Sequence, residues 1–215
     1  MDSVLQETPK YPYTFSSYGS VQTIGIFGDD LAISEAARIS INRGPKEPEK
    51  LAKFILSLAK QGHWKAFEFA NVKLKIKCPI FVARQWRTHN GSYLELSRRY
   101  SAENFEFYVP RAGKLSETED FIVRKSLSTS MAMYNQLVWQ GNVKKEIARI
   151  VLPVALYTTF IWETNVRDLI FFLQQRLSCH AQEEIQEYAN DVYTHVLIKY
   201  FPYAAEAFDK AIKKE

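Results

Sequence analysis

Residues 84–100 read Arg84-Gln85-Trp86-Arg87-Thr88-His89-Asn90-Gly91-Ser92-Tyr93-Leu94-Glu95-Leu96-Ser97-Arg98-Arg99-Tyr100. Four arginines, a histidine, a glutamate and two serines stand here among apolar side chains. Guanidinium groups at this density repel one another. An anion relieves that repulsion, and their planar forks match phosphate. Glu95 and Ser97 alternate with Leu94 and Leu96, so in an extended segment the polar pair shares one face. A solvated basic surface is the bland reading. The interleaved Trp86, Tyr93, Leu94 and Leu96 argue for partial burial instead, and so for a small-molecule site that takes a phosphate.

The flanks give the elements around this segment. Val72, Leu74, Ile76 and Cys78 alternate with Lys73, Lys75 and Lys77. That is the period of a half-buried strand. Pro79 then opens a helix through about Trp86. Further upstream, Val21 to Phe27 reads as a strand, and Asp29 or Asp30 caps a helix through Ser40. Pro45 to Lys60 reads as a helix with Leu51, Phe54, Ile55 and Leu58 as its buried stripe and Gly62 at its end. Downstream, Phe105 to Val109 reads as a strand, and helices are expected over 117–140, 144–151, 166–178 and 181–200. In the last of these, Ile185, Tyr188, Ala189, Val192 and Val196 keep helical spacing. Helix predominates and the strands do not form regular βαβ repeats, so the class is α+β.

The chain has 215 residues, 47% of them hydrophobic, and a formal net charge of +4. That suffices for one substantial domain. Residues 1–18, rich in Tyr, Pro and Ser, read as an N-terminal arm, and 19–215 as a single catalytic domain. The net charge does not by itself point to nucleic acid. No apolar run approaches a membrane span, and no signal-peptide core is present. Cys78 and Cys179 have no metal-ligand spacing and make no disulfide framework, which fits a reducing cytoplasm. His63, His89, His180 and His195 form no metal pattern either, so no metal is expected.

The order of residues 84–100 resembles the signature of the flavin-dependent thymidylate synthases, R-Q-W-x-R-H-R-x-x-S-x-N-E-x-S-x-R-Y. Counted back from Tyr100, the chain supplies Arg99, Ser97, Glu95, Ser92 and Arg87 in register. It has Leu94 where the pattern has Asn and Thr88-His89 where it has His-Arg, and it is one residue short after Trp86. Either Arg87 is the first arginine of the triplet, or the gap falls later and His89 takes the central histidine's place. Other segments follow in family order: Gly28-Asp29-Asp30 with Ala36 to Ser40, Gly62-His63, Phe67-Glu68 with Phe69 at a usual histidine, and Pro79 to Trp86. Then come Glu146 to Pro153, Asn165-Val166-Arg167, Arg176 and His180-Ala181-Gln182. Ordered agreement over about residues 20–190 is far more specific than one short motif.

The resemblance implies helices surrounding a twisted, mostly antiparallel sheet, with no Rossmann half for the flavin. It implies four subunits with shared active sites. It also implies reductive methylation of dUMP at C5 to dTMP, with methylenetetrahydrofolate as carbon donor, reduced FAD as hydride donor and NADPH as reductant. Arg176 would polarise the uracil ring. Gln85, Arg87, Glu95, Leu96, Ser97, Arg98, Arg99 and Arg149 would line the nucleotide pocket. Ser40, His63, Lys65, Glu68, Arg87, Thr88, His89, Glu95, Asn165, Arg167, Phe171 and His180 would shape the flavin and folate region. Lys65 stands where the family often has threonine, and Phe171 where it often has asparagine.

C5 of uracil can be activated by a thiolate at C6 or by polarisation of the ring. Cys78 ends an apolar strand and reads as a packed thiol, and Cys179 adjoins His180 but lies outside the main arginine segment and has no role in the resemblance. No cysteine nucleophile is expected, and the resemblance implies polarisation by Arg176. Structural roles compete at several positions. His63 can cap the preceding helix, Arg149 can pair with Glu146 on a helix surface, Arg176 can snorkel, and Asn165 is a natural N-cap. Two other functions stay open: the same C5 chemistry on another pyrimidine nucleotide such as UMP, and a nucleic-acid-binding module built on the same arginines.

Overall fold

The lysine-faced strand forms as the alternation requires. In the computed structural model, which describes residues 13–39, 47–99 and 105–212, it is Asn71–Pro79, with Val72, Leu74, Ile76 and Cys78 buried and Lys75 exposed. Numbered in chain order, the strands are β1 Tyr13–Ser16, β2 Ser20–Phe27, β3 Asn71–Pro79, β4 Ser92–Glu95, β5 Phe105–Tyr108 and β6 Tyr157–Asn165. The helices are α1 Asp30–Ala37, α2 Pro48–Lys60, α3 Ile80–Trp86, α4 Glu117–Trp139, α5 Lys145–Ala148, α6 Val166–Arg176, α7 Glu183–Val192, α8 Ile198–Tyr200 and α9 Pro202–Ala211. An antiparallel four-stranded sheet has the order β2-β3-β6-β4, and β1 pairs with β5 in parallel, Tyr13 opposite Phe105. The class is α+β, as expected.

The chain divides into two compact units. One comprises Met1–Gly19, Lys77–Ala83 and Glu95–Thr159. Its core is Phe105, Phe107, Val109, Leu127, Met131, Tyr134, Ala148 and Leu156. The long helix α4 is started by a capping box. Ser116 Oγ accepts from the Glu119 N–H at 3.3 Å, and Glu119 Oε2 accepts from the Ser116 N–H at 2.8 Å. These two bonds satisfy backbone donors that a helix start leaves open. Tyr13 and Phe15 pack on this core, so the segment read as an arm over 1–18 ends in a strand.

The other unit comprises Ser20–Ile76, Arg84–Leu94 and Phe160–Glu215. Asp29 caps α1, its Oδ1 accepting from the Ala32 N–H at 3.0 Å. Helix α2 ends as predicted. Gly62 has φ +74°, its N–H reaches Ala59 O at 3.2 Å, and the His63 N–H reaches Leu58 O at 2.9 Å. A positive φ at that place is glycine's role. Asp30 is buried and accepts the N–H groups of Tyr203 at 2.8 Å and Ala204 at 3.0 Å. It thereby serves the open first turn of α9. The aromatic core is centred on Trp86, stacked on Phe172 at 4.6 Å and edge-on to Phe160, Trp162 and Tyr188.

Three departures from expectation have local causes. Strand β6 was not expected, although Tyr157–Asn165 is dense in β-branched and aromatic residues, the composition of strands. Helix α9 was not expected either; Pro202 at its first turn and three alanines after it form its start signal. The helix expected over 181–200 is broken by a π-helical turn at Tyr193–Leu197. The start of the helix expected from Pro45 lies outside the described residues.

Candidate active site

Strand β4 presents the signature as the alternation predicts, with its faces reversed relative to a plain amphipathic strand. Tyr93, Glu95 and Ser97 are half-buried, whereas Leu94 is 72% and Leu96 40% exposed. The expectation that both leucines help bury the segment is therefore corrected: Trp86 and Tyr93 do this, and the inward row is polar. A polar inner row is what a binding surface needs.

In the unit holding Glu95–Thr159, Glu95 accepts from Thr158 Oγ1 at 2.5 Å. The Leu96 N–H bonds to Thr159 O at 2.8 Å. Arg98 places its guanidinium over the Phe105 ring at 4.9 Å and reaches Tyr157 O at 3.4 Å. Burial lowers the pKa of this guanidinium from its ordinary value. Arg99 Nε donates to Ser97 Oγ at 3.3 Å. Arg149, exposed at the turn after α5, donates to the backbone O of Glu146 at 3.2 Å. That contact replaces the side-chain pair weighed for these two residues. Thr158 was not singled out from sequence; its place in an unrecognised strand hid it.

In the other unit, the C-terminal end of α3 is the anchor. A helix end leaves carbonyls without intrahelical partners and carries partial negative charge. Gln85 O accepts from Thr88 Oγ1 at 2.8 Å and from Arg176 Nη2 at 3.1 Å. Trp86 O accepts from the Tyr93 hydroxyl at 3.1 Å, which also reaches His89 O at 2.9 Å. Burial raises the pKa of this hydroxyl. Arg176, in the last turn of α6, also donates from Nη2 to Thr88 Oγ1 at 2.9 Å and from Nε to His89 Nε2 at 2.9 Å. Burial, with the Arg176 charge second, pushes the His89 imidazole down to about 4. Gln85 Nε2 meets Gln182 Oε1 at 2.5 Å. Arg87 is exposed on the turn after α3. Asn90 O accepts from both Trp162 Nε1 and Thr164 Oγ1, each at 3.1 Å, which fastens the turn to β6.

A second group lies at the start of α6. Asn165 is its N-cap, accepting from the Asp168 N–H at 2.9 Å. Arg167 bonds to Asp168 and Glu68, and Glu68 also pairs with Lys65. Lys65 is the first cause, and Arg167 a further one, of a Glu68 carboxyl below the usual range. Phe171 meets Trp64 edge-on at 5.3 Å. His63 and Lys65 line a cavity of about 560 Å³ with Arg38 and an apolar floor that includes Phe54, Leu58 and Phe69. Arg38 was quoted from sequence only as part of a helix; its place just beyond α1 was the available signal. His180 is exposed in the loop after α6. Ser40 lies outside the described residues.

Cys78 is buried and Cys179 exposed. Among the described residues, no group of three or more His, Cys, Asp or Glu could hold a metal, and no helix is long and apolar enough to cross a membrane.

The family profile described as thymidylate synthase complementing protein matches residues 24–202. A flavin-dependent thymidylate synthase from Thermotoga neapolitana is 40% identical over 199 residues, covering 89% of this chain and 91% of that protein. One from Thermosipho africanus is 37% identical over 216 residues, covering 92% and 94%. The crystal structure of the UMP/dUMP methylase PolB from Streptomyces cacaoi bound with 5-Br dUMP is similar with a TM-score of 0.84 at 27% identity, covering 94% of this chain and 99% of that one. PolB bound with 5-Br UMP gives 0.82 at 26% identity, with 94% and 98% covered.

Proposed function

The chain belongs to the flavin-dependent thymidylate synthase family, whose members are methyltransferases, and from that premise we propose that it methylates dUMP at C5 to give dTMP. Methylenetetrahydrofolate gives the carbon, NADPH is the reductant, and residues 19–215 act as one catalytic domain. The observation that carries this reading is Arg176. It leaves α6 to bond the helix end and the turn inside the signature itself, at Gln85, Thr88 and His89. A guanidinium held at that place suits the negative charge that develops on a uracil carbonyl.

The residues present fit a flavin. The cavity joins an apolar floor to the cations Arg38 and Lys65 and the imidazole of His63, a combination suited to a flat ring system with phosphates. These residues, with Glu68, Thr88, Asn165, Arg167, Phe171 and His180, would hold it. When bound, the flavin supplies the hydride that completes the methyl group. Arg98, Arg99 and Arg149 would take the nucleotide phosphate, with Gln85, Arg87, Glu95, Leu96 and Ser97 around the nucleoside. Arg176 would polarise the ring while the C5 proton leaves to solvent and the one-carbon unit takes its place, releasing tetrahydrofolate. No thiolate adds to C6, and the sites are shared within a homotetramer.

UMP is the second reading, because PolB is named a UMP/dUMP methylase. Tritium release from C5-labelled dUMP and UMP, with methylenetetrahydrofolate, FAD and NADPH, tests both. Release from dUMP, lost when FAD is withheld, is the expected result. Release from UMP alone would transfer the assignment to the ribonucleotide, and release from neither would end the proposal.

A further inference from the structure

Arginine side chains are long, and holding one in a single geometry costs rotamer freedom. Arg176 is nevertheless held at three points. Nε donates to His89 Nε2 at 2.9 Å, and Nη2 donates to Thr88 Oγ1 at 2.9 Å and Gln85 O at 3.1 Å. Among the described residues Nη1 has no partner. One edge of the guanidinium is therefore fixed, and the remaining nitrogen is left to a ligand.

His89 is itself fixed. Its N–H donates to Trp86 O at 3.1 Å, its carbonyl accepts the Tyr93 hydroxyl at 2.9 Å, and its ring stands edge-on to Phe172 at 5.1 Å. Because Nε2 accepts a hydrogen bond, the ring is neutral and its proton is on Nδ1. Burial and the adjacent Arg176 favour that neutral form. Thr88 uses its hydroxyl in both senses, donating to Gln85 O and accepting from Arg176. Thr88-His89 is also where the chain has departed from a His-Arg pattern. A guanidinium at position 89 has no acceptor and would repel Arg176.

We infer that His89 is a positioning residue for Arg176, accepting its Nε–H so that Nη1 is presented to a carbonyl of the pyrimidine ring. The inference rests on the proposed pyrimidine methylation. It assigns His89 to the substrate side of the reaction, beyond the flavin contact implied by resemblance. Preorientation of a charge-stabilising donor acts on the chemical step more than on ground-state binding.

The test uses the full chain. In the nucleotide-free parent, 15N NMR should find the Arg176 Nε–H protected from solvent exchange, with His89 protonated on Nδ1 and unprotonated on Nε2. His89→Leu should abolish that protection and lower kcat for tritium release at saturating flavin by about tenfold to hundredfold, with nucleotide affinity changed by no more than about twofold. His89→Gln, whose side-chain oxygen can accept, should recover most of the loss. A freely exchanging Nε–H in the parent overturns the inference, and it decides the matter alone if His89→Leu does not fold. Parent-like kcat in a folded His89→Leu, beside an inactive Arg176→Ala, also overturns it and leaves the reaction standing. Absence of tritium release from either nucleotide in the parent overturns the proposed reaction and the substrate role of His89 with it.

Discussion

Arg176 stands at the C-terminal turn of α6 and bonds to the C-terminal end of α3, so its charge faces the partial negative charge of two helix ends. Among the described residues these contacts hold it without a carboxylate partner, and its charge stays available to a ligand. Arg176→Ala should leave flavin and nucleotide bound and lower turnover by about 2.7–4 kcal/mol of transition-state free energy. Arg176→Lys should recover only part, since a point charge cannot reach His89, Thr88 and Gln85 together. Single-turnover rates at saturating nucleotide measure this directly; an alanine variant with parental turnover would remove Arg176 from the chemistry. Part of this site was legible in the sequence. Alternation about Leu94 gave the inward polar row of Glu95 and Ser97, and ordered segments pointed to Arg176. The partner of Arg176 was not legible, because His89 lies 87 residues away and no local pattern links them. Leu94 and Leu96 were misread because apolar residues in a half-buried strand usually mark the inner face, and here the ligand-facing row is polar.

At the scale of elements, the turn between α3 and β4 depends on Gly91. Its φ is +143°, and a Cβ placed there would meet Trp162 Nε1 at 2.2 Å and Glu163 O at 2.7 Å. The turn is already tied to β6 through Asn90 O, so neither side can withdraw without breaking the bonds to Trp162 and Thr164. Gly91→Ala should therefore cost at least about 2 kcal/mol, combining backbone strain with overpacking. Urea unfolding measures it, and a midpoint equal to that of the parent would show that the turn can yield. Strand β3 and helices α2, α4 and α6 were legible because periodicity and caps are local: Gly62 ends α2, and Asn165 caps α6. Strand β6 was less legible. Its buried face carries Thr158, Phe160, Trp162 and Thr164 and its other face Tyr157, Thr159, Ile161 and Glu163, so polar and apolar residues mix on both and it lacks the clean alternation of β3. The N-terminal anchor of α9 was invisible for another reason, since Asp30 reaches it from 173 residues away.

For the molecule as a whole, the titrations of buried Asp30 and half-buried His89 should shape stability against pH. Burial raises Asp30 from 3.8 to about 6, outweighing the two backbone N–H bonds that favour its charge. Its contribution is fully present below about pH 4 and is lost as pH rises through about 6. His89 runs the opposite way. Lowered from 6.5 to about 4, it contributes stability above about pH 6.5 that is lost as pH falls through about 4. Across the same window the two effects oppose one another, and solvent screening reduces that of the partly exposed His89 ring. Glu68, held below its ordinary value first by Lys65, adds a further loss on the acid side. The parent should thus show only a shallow loss of stability between about pH 6.5 and 4. Asp30→Asn removes the term that favours acid while leaving one side-chain oxygen to accept from α9. Its stability should fall steeply with acid over that window, driven by protonation of His89 in the unfolded chain. Urea midpoints of the two proteins at a series of pH values test this. Parallel profiles would show that the buried carboxyl of Asp30 does not titrate in the window, and that its two bonds to α9 hold it ionised throughout.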